Sequence, residues 1–171
     1  MDFLEKDLED VIFNSDRDTL CDRGLRVDGV LKRQVRIGNY GIADLVTYEK
    51  PSYFGFGKGH WKGMITVYEL KNKNINIHTL LQAVNYLKGI QSFLELRGIK
   101  KHYNYRIILI GRSIDVSSSF IYLTDLVSTI YTTSFVDDPT SFILSYYTYS
   151  YDINGILFNK QYNYNLTNKG F

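Results

Sequence analysis

Hydrophobic positions recur along this chain with two periods, and each period predicts a different kind of element. The N-terminal segment repeats apolar side chains at helical spacing, with Leu4, Leu8 and Ile12 on one stripe, which predicts a helix over 2–14. A second helical stripe predicts a longer helix from an Asn76 cap to about Arg97. Shorter apolar or alternating segments predict strands at 30–37, 42–48, 64–70, 105–110, 142–151 and 156–158.

The remaining segments are assigned from their composition. Residues 16–24 are polar and are predicted to be a turn, whereas residues 117–132 are predicted to be helical. The order of elements is then α-β-β-β-α-β-α-β. It predicts an α/β fold with a mixed β-sheet flanked by helices, in a single domain over 1–171.

The C-terminal segment 140–160 is unusually rich in tyrosine. Strand alternation places Tyr147, Tyr149 and Tyr151 on one face. Packing within the sheet, as an extension of the core, or contact with a second copy of the chain is favoured over the stacking of nucleic-acid bases.

Composition and charge narrow the class of protein. The chain has 171 residues, with 20 Lys and Arg against 18 Asp and Glu, so any basic surface must be local. The single cysteine, Cys21, excludes an internal disulfide and any zinc site with several thiolates from one chain. No apolar run is long enough to span a membrane and the first residues lack a signal-peptide pattern, so we expect a cytoplasmic protein with no membrane partner.

Three acidic positions and one lysine stand out against this background. Glu69 and Lys71 end an apolar strand and, being two residues apart, face the same side. Asp44 interrupts another apolar strand, where a carboxylate is disfavoured unless it is paired or binds a metal. The first helix adds Glu5 or, one turn further on, Glu9, and this glutamate can complete the ligand shell of a metal or bind a second metal.

This set of residues fits the hydrolysis of a phosphodiester bond. Asp44, Glu69 and the backbone carbonyl of Leu70 can supply hard oxygen ligands for Mg²⁺, for which Mn²⁺ commonly substitutes. Lys71 can orient or deprotonate the attacking water, or offset charge on the phosphate. The alternative is a solvated ion pair, which is the usual meaning of an isolated Glu-x-Lys on a surface strand.

The same residues resemble the PD-(D/E)xK nuclease superfamily, which has a restriction-endonuclease-like fold. The resemblance covers about residues 3–112 and includes the order of the elements. Alanine stands at position 43, where the family pattern has proline. The matching segments are Glu5-x-x-Leu8, Gly41-Ile-Ala-Asp44-Leu-Val, Val67-Tyr-Glu69-Leu-Lys71 and Gln82-x-x-x-Tyr86.

The resemblance implies a role for each matching residue. Asp44 and Glu69 would bind metal, Lys71 would activate water and Glu5 would assist, with Glu9 as the alternative on the same helix. Gln82 would belong to the catalytic set. It lies on one helix face with Tyr86, and the two would position the scissile strand.

Two basic segments are candidates for contact with DNA. Residues 51–63 are predicted to be a long hairpin loop that carries Lys58, His60, Trp61 and Lys62 among glycines, a pattern that suits phosphate contacts and base stacking. The strand at 30–37 adds Lys32, Arg33 and Arg36. A surface hairpin and a solvated strand edge are the structural alternatives.

The sequence and the resemblance therefore predict a Mg²⁺-dependent DNA endonuclease that forms a homodimer and cuts both strands. One alternative is a catalytically silent module on the same fold that binds DNA or a protein. Another is a nuclease directed at RNA.

Overall fold

The computed structural model describes residues 4–54, 60–115, 120, 122 and 142–162, which form one mixed sheet with helices on both faces. The helices are α1 (Glu5–Asn14), α2 (Arg17–Asp22) and α3 (Ile77–Leu96). The strands are β1 (Val30–Arg36), β2 (Ile42–Phe54), β3 (His60–Leu70), β4 (Asn74–Ile75), β5 (Tyr103–Gly111), β6 (Ser113–Ile114), β7 (Ile143–Asp152) and β8 (Gly155–Gln161).

The main sheet has six strands in the order β1-β2-β3-β5-β7-β8. The pairs β3–β5 and β5–β7 are parallel and the pairs toward both edges are antiparallel, while β4 and β6 form a separate parallel pair. Helix α3 connects the parallel strands β3 and β5. Parallel neighbours cannot be joined by a tight turn and need a long crossover, which is usually a helix. The predicted α/β class and mixed sheet flanked by helices are confirmed.

Hydrophobic side chains cover both faces of this sheet. Helix α3 packs on one face through Leu80 and Leu87, and α1 packs on the other through Leu8 and Ile12. The central strand β5 contributes to both cores, because alternate residues from 107 to 110 belong to opposite clusters. This matches the prediction of a strand that is buried on both sides.

The predicted ends of the long helix are also confirmed. The side chain of Asn76 accepts a hydrogen bond from the Thr79 amide at 3.1 Å, which satisfies one of the free donors at the start of α3. At the other end Gly98 adopts a φ of +70°, the left-handed conformation that commonly ends a helix.

Residues 16–24 differ from the predicted turn because they contain the short helix α2. Asp16 caps this helix by accepting a hydrogen bond from the Thr19 amide at 2.8 Å, and Leu20 anchors it in the core. A helix of six residues is too short to show a helical period. Its only signals in the sequence were the capping residue Asp16 and the single leucine, Leu20.

The predicted hairpin loop at 51–63 is also corrected. Strand β2 continues to Phe54 and β3 already begins at His60, so both sides of the segment belong to a paired ribbon. Pro51 lies where the register shifts between Glu49 and Ser52, an irregularity that tolerates a residue without an amide donor. The glycine-rich, aromatic composition concealed this extension.

The tyrosine-rich segment packs inside the chain. Strand β7 pairs with β5, and Tyr146, Tyr147 and Tyr149 are buried on the two faces of the sheet. Packing within the sheet, one of the two favoured interpretations, is confirmed. Tyr151 remains largely exposed, and the helix predicted at 117–132 lies almost wholly outside the described residues.

The turn after α2 gives a test of this packing. Gly24 has a φ of +89°, and a Cβ there would overlap the backbone carbonyl of Phe158 in β8. We expect Gly24→Ala to lower the free energy of unfolding by about 2–4 kcal/mol, from backbone strain and steric overlap together. Urea denaturation measures the loss.

Gly98→Ala is the matched control for this substitution. Its φ of +70° is strained in the same way, but no heavy atom lies within 4 Å of the added Cβ. The control is expected to cost only about 1–2 kcal/mol, the strain alone. Equal losses in the two variants would show that α2 is not seated against β8.

Candidate active site

Adjacent antiparallel strands carry the two acidic residues that the sequence singled out. Leu45 of β2 pairs with Tyr68 of β3, and continuing this register places Asp44 opposite Glu69. Side chains directly opposite each other on antiparallel strands project from the same face. The expected juxtaposition of a β2 carboxylate with a β3 carboxylate is therefore present in the topology.

Hydrogen bonds fix this end of β3. The Leu70 amide donates to Oδ2 of Asp44 at 2.9 Å, which ties β3 to the β2 carboxylate. Lys71 donates from Nζ to Oε1 of Glu69 at 2.8 Å, and its own amide donates to the carbonyl of Ile110 at 2.8 Å. Glu69 and Lys71 thus face one point, as their spacing predicts.

The first helix brings a third carboxylate to the same point. Oε2 of Glu5 lies 3.9 Å from Nζ of Lys71, and the Glu5 side chain is partly exposed. Glu9 is instead buried and accepts a hydrogen bond from the side-chain amide of Gln34 in β1. The structure therefore separates the two candidates: Glu5 contacts the lysine, and Glu9 holds α1 to the sheet.

Burial makes this cluster electrostatically unusual. The Glu69 side chain is only 1% exposed, and burial, reinforced by the negative charge of Asp44, raises its pKa to about 7. Burial also raises the pKa of Asp44, although the Leu70 amide and Lys71 oppose the shift. A solvated surface ion pair, the alternative from the sequence, does not describe a carboxylate in this position.

Lys71 experiences opposing influences on its charge. Burial acts to lower its pKa, but the hydrogen bond and the charge of Glu69, with Glu5 and Asp44 behind it, outweigh burial and raise it. The amine is therefore held as an ammonium in this arrangement. Such a group orients water and offsets negative charge, whereas taking up a proton would require it to be neutral.

The donor set fits a Mg²⁺ ion held by few protein ligands. Oε2 of Glu69 is buried and has no hydrogen-bond partner among the described residues, so one carboxylate oxygen remains unsatisfied. Within the described part of the chain, no three His, Cys, Asp or Glu side chains form a ready-made metal cluster. Mg²⁺ typically takes one or two carboxylates and completes its shell with water and phosphate, which an open pair such as Asp44 and Glu69 allows. Coordination by the carbonyl of Leu70 remains a prediction.

Gln82 and Tyr86 of α3 bond to each other. Nε2 of Gln82 donates to the Tyr86 hydroxyl at 2.8 Å. The buried Tyr86 ring packs against Gly41, where a Cβ would come within 2.8 Å of it, three residues before Asp44. Neither side chain hydrogen-bonds to a carboxylate of the site in the described structure, so their expected role in positioning a strand remains a prediction.

The basic residues expected to contact DNA are dispersed. Arg33 forms a 2.8 Å ion pair with Asp10 and lies over the ring of Phe13, so it fastens β1 to α1. Lys32 and Arg36 are exposed on the same strand. Lys32 and Arg36 can therefore bind a phosphate more readily than Arg33, which is already paired with Asp10.

The residues predicted to contact DNA from the hairpin loop are dispersed as well. His60 and Trp61 begin β3, where their backbones pair with Phe54 and Tyr53, and Lys58 lies outside the described residues. Lys62 lines a cavity near the start of β3. Lys62 itself is seven residues before Glu69 along the strand, or about 23 Å.

Two features of the structure were missed from the sequence. Gln34 has a φ of +51°, an uncommon conformation for a residue other than glycine, and its side chain holds Glu9. In the sequence, its only signal was that it interrupts a strand of basic residues. Arg106 lines the cavity near the start of β3, and its signal was a lone charge inside an otherwise apolar strand.

Comparisons of the chain with protein-family models, with curated proteins and with solved structures find no match. No helix in the described ranges is both long and apolar enough to cross a membrane. The chemistry of the site itself carries the functional interpretation.

The raised pKa of Glu69 predicts how stability depends on pH without metal. Between about 4.3, the usual pKa of an unfolded glutamate, and about 7, the folded state binds more protons than the unfolded state. The free energy of unfolding should therefore fall as pH rises through this window, by about 1–3 kcal/mol. Urea denaturation at several pH values in EDTA measures it, and Glu69→Gln should reduce the slope.

The other titratable groups of the cluster do not reverse this pH dependence of the free energy of unfolding. The raised pKa of Asp44 acts in the same direction, and Lys71 titrates above the window. Glu95→Gln, which removes an exposed carboxylate on α3, is the control and should keep the wild-type slope. The same slope in Glu69→Gln would contradict the electrostatic description of the site.

Proposed function

We propose that this chain is a metal-dependent endonuclease that hydrolyses phosphodiester bonds in DNA. The observation that carries the proposal is the buried carboxylate of Glu69, which has an unsatisfied oxygen, lies opposite Asp44 in the strand register and is bonded to Lys71. Removing a carboxylate from water is costly, so a protein retains one where a cation or another partner compensates. A divalent cation would supply that compensation.

The order of elements around the site supports a restriction-endonuclease-like fold. Helix α1 precedes three antiparallel strands, and α3 then crosses to a strand that is parallel to β3. The two carboxylates lie on the second and third of these strands. This is the order in which the sequence resembles the PD-(D/E)xK nucleases.

Each residue of the site has a specific task in the proposed reaction. Asp44 and Glu69 would hold Mg²⁺, and the bound ion would lower the pKa of water and offset charge on the phosphate. Lys71, as an ammonium donating to Glu69, would orient the attacking water from Nζ and stabilise the negative charge of the transition state. Glu5, 3.9 Å from that nitrogen, would keep the lysine aligned.

The principal alternative is a silent module that retains the fold but performs no chemistry. The complete set of Asp44, Glu69 and Lys71 favours the enzyme, because a module that only binds has no use for a buried carboxylate with an unsatisfied oxygen. Calorimetric titration with Mn²⁺ distinguishes the two: a silent module should show no binding that Asp44→Ala abolishes. DNA as substrate, rather than RNA, is the second part of the proposal.

Substitution of the site should abolish cleavage without unfolding the chain. We expect Asp44→Asn, Glu69→Gln and Lys71→Ala each to reduce the rate on plasmid and branched DNA by at least about a hundredfold with Mg²⁺. Gel assays measure the rate, and circular dichroism checks the fold. Glu95→Gln and Lys88→Ala, both exposed on α3, are the charge-matched controls.

Near-normal cleavage by any of the three site variants would contradict the role assigned to that residue. Cleavage of RNA but not DNA by the wild-type chain would preserve the site but reject the substrate. A homodimer that cuts both strands should give linear plasmid without accumulating the nicked form. Sedimentation at the assay concentration tests the dimer itself.

The two glutamates of α1 should behave differently. Glu5→Gln removes the carboxylate that contacts Lys71, so we expect cleavage to fall about tenfold or more with little loss of stability. Glu9→Gln weakens the buried contact with Gln34, so it should chiefly lower the free energy of unfolding, by about 1–3 kcal/mol. Parallel cleavage and urea measurements separate the effects, and the reverse pattern would assign the catalytic task to Glu9.

A further inference from the structure

A cavity of about 700 Å³ lies away from the acidic site. It is bordered by the beginnings of β3 and β5 and by parts of β2, β7 and β8. Its lining residues Ile108 and Tyr147 belong to the core cluster on the α1 face of the sheet, whereas Leu109, which pairs with Glu69, belongs to the cluster on the opposite face. The cavity is therefore a separate site, and its volume is in the range typical of pockets for small ligands.

Positive charge predominates around this cavity. Two acidic side chains, Asp28 and Glu49, face five cationic ones: Arg26, Lys50, Lys62, Arg106 and Lys160. Arg26 and Asp28 form an ion pair of 2.9 Å and largely cancel each other. Without counting Lys62, the cations Lys50, Arg106 and Lys160 still outnumber the remaining acid, Glu49, so the cavity attracts anions.

Arg106 is the most informative of these cations. It lies on the central strand β5, between β3 and β7, and its side chain is only partly accessible to solvent. Its guanidinium makes no hydrogen bond or ion pair with a residue in the described part of the chain. A cation held in the middle of a sheet without an acidic partner loses hydration that an anionic ligand would restore.

The cavity also has an apolar surface next to this arginine. Ile108 follows Arg106 on the same face of β5, and Tyr147 of the neighbouring strand lies beside them. Met64 and Ile143 add further apolar lining. Flat aromatic groups bind such surfaces, while a guanidinium binds phosphate through paired hydrogen bonds.

We propose that this cavity is a second binding site, for a ligand that carries a phosphate and a planar base. The phosphate would bind Arg106 with Lys50 and Lys160 at the rim, and the base would lie against Ile108 and Tyr147. A free nucleotide and a nucleotide unit of a nucleic-acid strand share this chemistry. The site needs no metal and does not rest on the proposed nuclease activity.

Titrations in EDTA test this site separately from any cleavage. The probes are dAMP, deoxyadenosine, inorganic phosphate and a fluorescent single-stranded oligonucleotide, with calorimetry or fluorescence anisotropy as the readout. We expect saturable binding of dAMP or of the oligonucleotide, and weaker binding of deoxyadenosine and phosphate, each of which lacks one half of the ligand. Arg106→Gln should weaken binding about tenfold or more.

Matched variants decide between a site and general attraction to charge. Lys101→Gln removes an exposed cation that does not line the cavity and should leave binding unchanged. If Arg106→Gln does not fold, the double variant Lys50→Gln and Lys160→Gln at the exposed rim takes its place, with the same expected loss. Because these titrations contain EDTA, they do not depend on metal-dependent cleavage, so loss of cleavage and loss of this site remain distinguishable.

Each outcome has a defined meaning. Tighter binding of the oligonucleotide than of dAMP assigns the cavity to a strand, and equal or tighter binding of dAMP assigns it to a free nucleotide. Absence of saturable binding for both probes overturns the proposal. An equal loss of binding in Lys101→Gln overturns it as well.

Discussion

The antiparallel register between β2 and β3 is the constraint on which the rest of the site depends. With Leu45 opposite Tyr68, Asp44 and Glu69 come to opposite positions on neighbouring strands. A shift of one residue would turn one of these carboxylates to the other face, into a hydrophobic core. The apolar side chains on either side of both residues hold the register, so packing of the sheet and convergence of the acids have one cause.

Two carboxylates held close together and out of water oppose folding, and the surrounding groups reduce that cost. The Leu70 amide and the ammonium of Lys71 donate to them, and the amide of Lys71 is anchored to Ile110 of the next strand. Among the described residues, these contacts leave one oxygen of Glu69 without a hydrogen-bond partner. Strain of this kind is characteristic of sites that bind a ligand, since local rules are broken where function requires it.

Much of the fold follows from local signals in the sequence. The stripe of α3, its Asn76 cap and the doubly buried strand β5 are long or regular enough for period and capping to identify them. The helix α2 was not predicted because it is shorter than two turns. The ribbon formed by the ends of β2 and β3 was not predicted because its residues also favour loops. Sequence patterns reveal elements that repeat, and these two do not.

The site shows the same limit at the level of side chains. Spacing alone brought Glu69 and Lys71 together, because alternation in a strand is a local property. The choice between Glu5 and Glu9 depends on how α1 is placed against β1, and this placement is set by contacts distant in the chain, such as Arg33 with Asp10 and Gln34 with Glu9. Nothing in the sequence around Arg33 or Gln34 indicates that these side chains hold α1 against β1.

The arrangement of charge along β3 connects the two proposed sites. An acidic cluster repels the phosphates of a nucleic acid, so a chain with little net charge needs positive charge elsewhere on the path of the strand. The cationic cavity opens on the opposite face of the sheet from Glu69, and its Arg106 pairs with Thr66, three residues before Glu69, or about 10 Å along β3. A strand bound in the proposed cavity would therefore reach the carboxylates only by passing around the sheet, and the carboxylates would stay free to bind a cation.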